Sequence, residues 1–193
     1  GVRKVGGVLS MVMEAKREGF KEIYIPLENI AEGKLVKDIE VYPVTSLKQL
    51  VLHLNGVQKI KPLPKENILR NLDRAYDVDF SDVKGQPVAR RALEIAAAGG
   101  HSILMMGSPG CGKTMLARRL VTILPPVTEA EALEITKIYS IVNMLPNAES
   151  VMVERPFRSP HHSASASALL GGGTYPRPGE VTLSHNGVLF LDE

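Results

Sequence analysis

The sequence has little or nothing of several features that mark particular classes of protein. Its 193 residues include one cysteine and no tryptophan, which excludes an internal disulfide and a cysteine-rich zinc site. No apolar run approaches the length of a membrane span, and no stretch reads as a signal peptide. The net charge of +2 is too small to indicate nucleic-acid binding by itself, although a local basic loop would be enough. We expect a cytoplasmic protein that is not associated with a membrane.

A glycine-rich stretch organises the rest of the chain. Residues 107–114 read Gly-Ser-Pro-Gly-Cys-Gly-Lys-Thr and match G-x-x-x-x-G-K-[ST], the phosphate-binding P-loop. The apolar run 102–106 before it predicts a buried strand, and Leu116, Ala117 and Leu120 follow at helical spacing. Strand, loop and helix together form a cradle for an anion, because the glycines let backbone N–H groups approach a phosphate and the helix N-terminus adds positive charge.

The P-loop also predicts individual roles. Lys113 would reach the β- and γ-phosphates of a nucleotide, and the Thr114 hydroxyl would ligate Mg²⁺. We interpret the single cysteine, at a variable position of the motif, as a small filler rather than a redox switch. The predicted nucleotide-contacting residues of the loop are Gly107, Ser108, Pro109, Gly110, Cys111, Gly112, Lys113, Thr114 and Met115.

The last seven residues complete the prediction of a nucleotide hydrolase. The apolar run 187–191 is followed by Asp192 and Glu193, the Walker B pattern. Asp192 would hold Mg²⁺ through water, and Glu193 would polarise the attacking water as general base. Because the first residue is Gly1 and the sequence stops in a predicted strand, we expect a piece of a longer protein.

The residues before the P-loop predict a separate α/β domain. A Gly-Gly turn precedes a helix, two short strands are expected at 22–25 and 39–42, and Ser46 begins a helix whose apolar face packs on the sheet. That face consists of Leu47, Leu50, Val51 and Leu54. We expect domains at 1–56 and 77–193, joined by a linker at 57–76 that is rich in proline and lysine.

The first domain resembles the C-terminal half of the Lon protease catalytic domain, which has a ribosomal S5 domain 2-like fold. The resemblance lies in Gly6-Gly7-Val8 through Ala15, Arg17, Gly19, Ile25-Pro26 and Glu28-Asn29. In that family a catalytic lysine follows the Gly-Gly turn, but the matching residue here is Met11, which has no amine. The resemblance therefore implies a protease-like fold without protease chemistry. Ser10 as nucleophile is the alternative, and no partner base lies near it in the sequence.

The second domain resembles the bacterial magnesium-chelatase-like AAA+ ATPases of the YifB or ComM family. The resemblance lies in four segments, 80–86, 92–101, 155–162 and 185–193. It implies a parallel P-loop sheet flanked by helices, ATP and Mg²⁺ as cofactors, and ATP hydrolysis by a homohexameric ring that moves DNA branches during natural transformation. It also implies that Val83 and Gly85 line the base pocket.

The resemblance also implies that an insert between the two Walker motifs, at about residues 163–184, is the candidate DNA-facing loop. Within or beside it, Arg177, His161 and His162 could touch a threaded polymer, or the stretch could be a plain flexible loop. A metal site at the two histidines is disfavoured because neighbouring side chains diverge. A strand is expected at 181–184.

Two other functions remain open at this point. One is the ATPase subunit of a magnesium chelatase that inserts Mg²⁺ into a porphyrin. The other is a nucleotide-binding module with little turnover, since the arginine finger and sensor residues of AAA+ ATPases would lie beyond Glu193.

Overall fold

The computed structural model describes residues 1–65, 76–145, 151–174 and 176–192. The chain forms two compact units, one of Gly1–Leu72 with Ala132–Met152 and the other of Asp73–Glu131 with Val153–Glu193. Helices and small sheets alternate along the chain, a mixed α/β architecture compatible with a P-loop fold. Glu193 lies outside the described residues, so its assignment as general base stays a prediction. No helix within the described ranges is long and apolar enough to cross a membrane.

The first unit is built around two parallel strands. Its elements are α1 (Val8–Arg17), β1 (Glu22–Pro26), a 3-10 turn (Leu27–Asn29), α2 (Ile30–Lys34), β2 (Glu40–Val44) and α3 (Leu47–Leu54). The strands pair in register from Glu22↔Glu40 to Pro26↔Val44, and the stretch that carries α2 makes the crossover that parallel pairing requires. The predicted helices and both predicted strands of this region are confirmed.

Helix α3 presents a different face to the sheet from the one expected. Leu47 is 71% exposed, Val51 46% and Leu54 61%, so the predicted packing of this stripe on the sheet is wrong. His53 is buried instead: its Nδ1 accepts a hydrogen bond from the Ile60 N–H at 2.8 Å. Its ring centroid also lies 5.1 Å from that of Tyr42 on β2. The contacts of the His53 ring therefore set the rotation of α3. The spacing of apolar residues in the sequence does not predict such contacts.

Helix α6 (Glu129–Ile141) begins at a capping box. The Thr128 hydroxyl accepts from the Glu131 N–H at 3.2 Å, and the Glu131 carboxylate accepts from the Thr128 N–H at 2.7 Å. From Ala132 onward the helix groups with the first unit. Ala132, Ile135 and Thr136 are fully buried there.

The second unit carries the P-loop. Its first elements are a 3-10 turn (Phe80–Asp82), α4 (Pro87–Gly99), α5 (Lys113–Leu120) and a 3-10 turn (Val121–Ile123). Strand β3 (Phe157–Arg158), α7 (Ala166–Leu170), β4 (Gly171–Gly172), β5 (Arg177–Pro178), α8 (Glu180–Leu183) and β6 (Val188–Leu189) follow. Strands β3 and β6 are parallel, and β4 and β5 form an antiparallel pair. The core of this unit joins Phe80, Val83, Leu93 and Leu116.

Two predicted strands of the second unit are absent from the described structure. No strand is assigned over 102–106, where Leu104 is 83% and Met106 87% exposed, so the prediction of a buried strand is wrong. An apolar run becomes a buried strand only when another strand pairs with it, and β3 and β6 pair with each other. Residues 181–184, also expected as a strand, mostly lie in α8, whose Glu180 is held by Arg158 and whose Leu183 is buried.

Candidate nucleotide-binding site

The backbone of the P-loop adopts conformations that require glycine. Gly110 has φ +77° and Gly112 φ +93°, both in the left-handed region, and Gly112 is the residue from which α5 begins. A Cβ on Gly107 would lie only 2.7 Å from the Cys111 Sγ. The loop therefore turns tightly into the N-terminus of α5, where the first backbone N–H groups of a helix have no intrahelical acceptor. Such an end attracts anions.

Lys113 lies across this loop. Its Nζ donates to the carbonyl oxygens of Gly107 at 3.0 Å and Ser108 at 3.4 Å. Both partners are neutral, and no carboxylate within the described ranges forms an ion pair with this ammonium group. The loop therefore carries a positive charge that no side chain neutralises there.

Thr114 and Asp192 are 78 residues apart in the sequence and meet in the structure. The Thr114 Oγ1 donates to the Asp192 Oδ2 at 3.3 Å. Asp192 arrives there because β6 runs parallel to β3: the Val188 N–H donates to Pro156 O and the Phe190 N–H to Arg158 O, both at 2.8 Å. A hydroxyl and a carboxylate are hard oxygen donors of the kind that Mg²⁺ prefers, so the pair fits this ion.

A cavity of about 510 Å³ adjoins the P-loop. It is lined by residues 87–89, 92 and 93 of α4 and by residues 103–106, together with Gln86, Cys111, Lys113 and Leu116. Gln86 was not singled out from the sequence. Its Nε2 donates to the Cys111 carbonyl at 3.3 Å, and it has a left-handed φ of +51° just before Pro87. The signal that could have found it is its position immediately before the proline that begins α4.

The other predicted cofactor contacts lie close by, but not in this cavity. Val83 is 1% exposed in the core of the unit, and Met115 packs against the same core. Gly85 is exposed, with φ +69°. Neither Val83 nor Gly85 is among the residues that line the cavity. Their contact with a nucleotide base stays a prediction.

The two histidines of the insert lie side by side. The ring centroids of His161 and His162 are 4.1 Å apart, so the expectation that these neighbouring side chains diverge is wrong. The His161 Nδ1 forms a hydrogen bond of 2.7 Å with the Ser163 hydroxyl. Across the described ranges, no cluster of three or more His, Cys, Asp or Glu side chains is placed to hold a metal ion.

Comparisons with known proteins agree with the P-loop architecture. The family model described as "Magnesium chelatase, subunit ChlI" matches residues 79–193. The competence protein ComM of Haemophilus influenzae is 45% identical over 195 residues, which cover 100% of this chain and 38% of that protein. The proteins named YifB of Escherichia coli and Salmonella typhimurium are each 44% identical, again over 100% of this chain and 37% of their own length.

The site and the fold define an α/β protein compatible with the P-loop class. Within that class, the chain belongs to the family whose model is described as magnesium chelatase, subunit ChlI. Together with the identity to ComM and YifB, this confirms the predicted resemblance to the magnesium-chelatase-like YifB and ComM family. The chain spans less than two fifths of the length of these relatives. The Lon-like character of the first unit is a prediction that no comparison bears on.

Proposed function

We propose that this chain contains the ATP- and Mg²⁺-binding core of an AAA+ motor that hydrolyses ATP and acts on DNA. The observation that carries the proposal is the 3.3 Å contact between Thr114 and Asp192, beside Lys113 at the N-terminus of α5. The two Walker motifs are far apart in the sequence and are joined at this point. Membership of the magnesium chelatase family supports the proposal, since P-loop members of this kind use nucleotide.

Each residue of the site has a distinct part in the proposed chemistry. The N–H groups at the start of α5 and the Lys113 ammonium bind and orient the phosphates. Thr114 and Asp192 hold Mg²⁺, which when bound neutralises charge that develops on the phosphates. Glu193 follows Asp192 directly and acts as the general base that takes a proton from the attacking water.

The proposed substrate is branched DNA, and the proposed setting is natural transformation in the bacterial cytoplasm. The relative named competence protein ComM matches 100% of this chain, including the unit that precedes the P-loop. We further propose a homohexameric ring and a DNA contact at the insert. Arg177, on the exposed hairpin of β4 and β5, and the exposed His161 and His162 provide the polar side chains for that contact.

A magnesium chelatase subunit is the second candidate, because the family model carries that description. The extent of the matches favours the DNA motor. The chelatase model covers residues 79–193, whereas ComM and YifB match the whole chain, including the first unit. A chelatase role would leave the match over that first unit unexplained.

The test is ATP-driven displacement of a strand from a branched DNA by the protein, with Glu193→Gln as its control. We expect displacement by the wild type and none by the variant, which should still bind nucleotide. ATP turnover without DNA binding or strand displacement would favour the function of a magnesium chelatase subunit. Nucleotide binding without turnover would identify the chain as a nucleotide-binding module.

A further inference from the structure

Arg155, two residues before β3, joins three segments of the second unit. Its Nη1 donates to the carbonyl oxygen of Asn186 at 2.7 Å, and its Nε donates to that of Pro125, also at 2.7 Å. Its Nη2 pairs with the two carboxylate oxygens of Glu131 at 3.1 and 3.2 Å and reaches the Pro126 carbonyl at 3.3 Å. The side chain is only 12% exposed. One guanidinium group thus holds the residues before β6, the turn after α5 and the first turn of α6.

The first of these segments leads directly to Asp192. Asn186, with φ +57°, precedes Gly187, where a Cβ would lie 2.1 Å from the Pro156 carbonyl oxygen. The next residue, Val188, donates its N–H to that same oxygen at 2.8 Å. The start of β6 is therefore fixed against the residues that flank Arg155, and a shift there would carry Asp192 with it.

The second segment leads back to Thr114. Helix α5 begins with Lys113 and Thr114 and continues through the 3-10 turn at Val121–Ile123, and Pro125 follows two residues later. Arg155 therefore links the end of the element that carries Thr114 to the beginning of the element that carries Asp192. The Arg155 hydrogen bonds lie at the end of each element that is farther from the 3.3 Å contact between Thr114 and Asp192.

Arginine suits this task better than lysine does. Its guanidinium group is planar and has five N–H donors in fixed directions, so it can hold several acceptors at set angles to one another. The Lys ammonium is a single point on a flexible stem and cannot reach Asn186, Pro125 and Glu131 together in the same arrangement. Charged hydrogen bonds that are largely screened from water are also stronger than exposed ones.

We infer that Arg155 is a positioning residue of the Mg²⁺ site, which keeps Asp192 within reach of Thr114 by tying Asn186 to the turn at Pro125. The inference rests on the proposed function, since it takes Thr114 and Asp192 as the residues that hold the ion. Arg155 itself does not contact either of them in the hydrogen bonds described.

The test measures binding of a fluorescent ATP analogue to the protein in EDTA and across a Mg²⁺ titration. For Arg155→Lys we expect the Mg²⁺ concentration at half-saturation to rise about tenfold, the lower end of the effect seen when partners of a metal ligand are removed. Affinity in EDTA should stay within about twofold of wild type, since Lys113 and the loop are intact. Arg91→Ala is the matched control, because Arg91 is 73% exposed on α4 and, among the described residues, pairs only with Glu94.

A second variant and a wild-type measurement keep the inference testable if Arg155→Lys folds poorly. Glu131→Gln leaves the contacts of Arg155 with Asn186 and Pro125 in place, so it should raise the Mg²⁺ requirement less than Arg155→Lys does. In the wild type, adding Mg²⁺ to the nucleotide-bound protein should slow hydrogen exchange in 186–190 and in 121–128 together. Protection confined to the P-loop, or an equal effect of the two variants, would overturn the inference.

The outcomes separate this inference from the proposed function. A wild type that binds no nucleotide overturns both. A wild type whose binding depends on Mg²⁺, with the same dependence in Arg155→Lys, overturns the role of Arg155 and leaves the nucleotide site standing. Equal weakening in EDTA and in Mg²⁺ would show that Arg155 acts only on the stability of the unit, which also overturns the inference.

Discussion

Two helices of the molecule begin in nearly the same way and have opposite surroundings. Helix α1 starts from Gly7 with φ +75°, and α5 starts from Gly112 with φ +93°; neither glycine offers a side-chain cap. At α1 the chain itself supplies two acceptors: the Leu9 N–H donates to Glu32 Oε2 at 3.0 Å, and the Gly7 N–H donates to the Ser140 hydroxyl at 3.1 Å. Within the described ranges, no side chain accepts from the corresponding N–H groups of Lys113 and Thr114.

The polar groups around α1 satisfy one another. Glu32 also accepts from the Asn29 side-chain amide at 2.8 Å and from the Ser140 hydroxyl, and Ser140 accepts from the Gly7 N–H at 3.1 Å. Asn29, Glu32 and Ser140 are all less than 7% exposed. Buried polar groups in such a network hold the fold in place and have no capacity left for a ligand. We therefore expect a glycine turn before a helix to bind a ligand only where the protein's own side chains do not occupy the N–H groups.

The largest expected effect comes from a substitution at the N-terminus of α5. Lys113→Ala removes a charge that no side chain in the described part of the chain neutralises. We expect nucleotide affinity to fall by at least about a hundredfold, because hydrogen bonds to charged groups contribute about 1.5–3 kcal/mol each. Equilibrium binding of a labelled nucleotide measures this. Arg118→Ala, an exposed arginine on the same helix, is the control and should bind normally. Retained affinity in Lys113→Ala would contradict the assignment of the P-loop.

A substitution at the N-terminus of α1 should lower the stability of the protein and leave nucleotide binding unchanged. Glu32→Gln turns a side-chain NH₂ group toward donors, and we expect the free energy of unfolding to fall by about 2–3 kcal/mol, as when a buried polar partner is lost. Denaturant unfolding measures the change, with Glu28→Gln, an exposed residue of the 3-10 turn just before α2, as control. A nucleotide affinity that drops along with stability would argue against separate roles for the two helix ends.

Ser140→Ala makes a smaller cut in the same network. It removes both the acceptor of the Gly7 N–H and a donor to Glu32, but it leaves Glu32 bound to Leu9 and Asn29. The expected loss is about 2 kcal/mol in the free energy of unfolding, because each of the two hydrogen bonds contributes about 1 kcal/mol. A double variant with Glu32→Gln should lose less than the sum of the two single losses, because the residues share partners. Strict additivity would contradict the network.

A third helix end, that of α6, sharpens the comparison through its dependence on pH. The Thr128 N–H, and after it the Arg155 guanidinium, hold the pKa of Glu131 below its usual range. A carboxyl whose pKa is lowered by folding stabilises the protein above its unfolded pKa of about 4.3 and loses that contribution as pH falls through the lower folded value. In Glu131→Gln, we expect the decrease in the free energy of unfolding between pH 7 and pH 3 to be smaller than in the wild type by about 1 kcal/mol. This is a typical value for a helix cap. Thermal melts between pH 3 and pH 7 measure this, and an unchanged acid limb would count against the cap.

Local signals in the sequence predicted much of this structure. The P-loop turn and the start of α5 each depend on residues within a few positions of one another, and the structure has both. Ser46, the predicted start of a helix, does begin α3, but only half of a capping box is present there. The Ser46 hydroxyl accepts from the Gln49 N–H, but the Gln49 side chain accepts from Thr45.

Contacts between distant residues account for what the sequence did not reveal. The rotation of α3 follows from the rings of His53 and Tyr42, and the helix at 180–183 is stabilised by Arg158 on another element. The Arg155 contacts with Pro125 and Asn186 span 30 and 31 residues. No periodicity or motif marks such partners, since each depends on how separate elements are brought together in the folded unit.

Backbone amide NMR shifts of the protein, followed during a titration with ATP and Mg²⁺, test the contrast between the two helix ends most directly. We predict large shifts at residues 110–115 and at Asp192, with the amides of residues 7–9 unchanged. Shifts at the start of α1, or none at the start of α5, would contradict this contrast, because the N-termini of the two helices would then not differ in nucleotide binding.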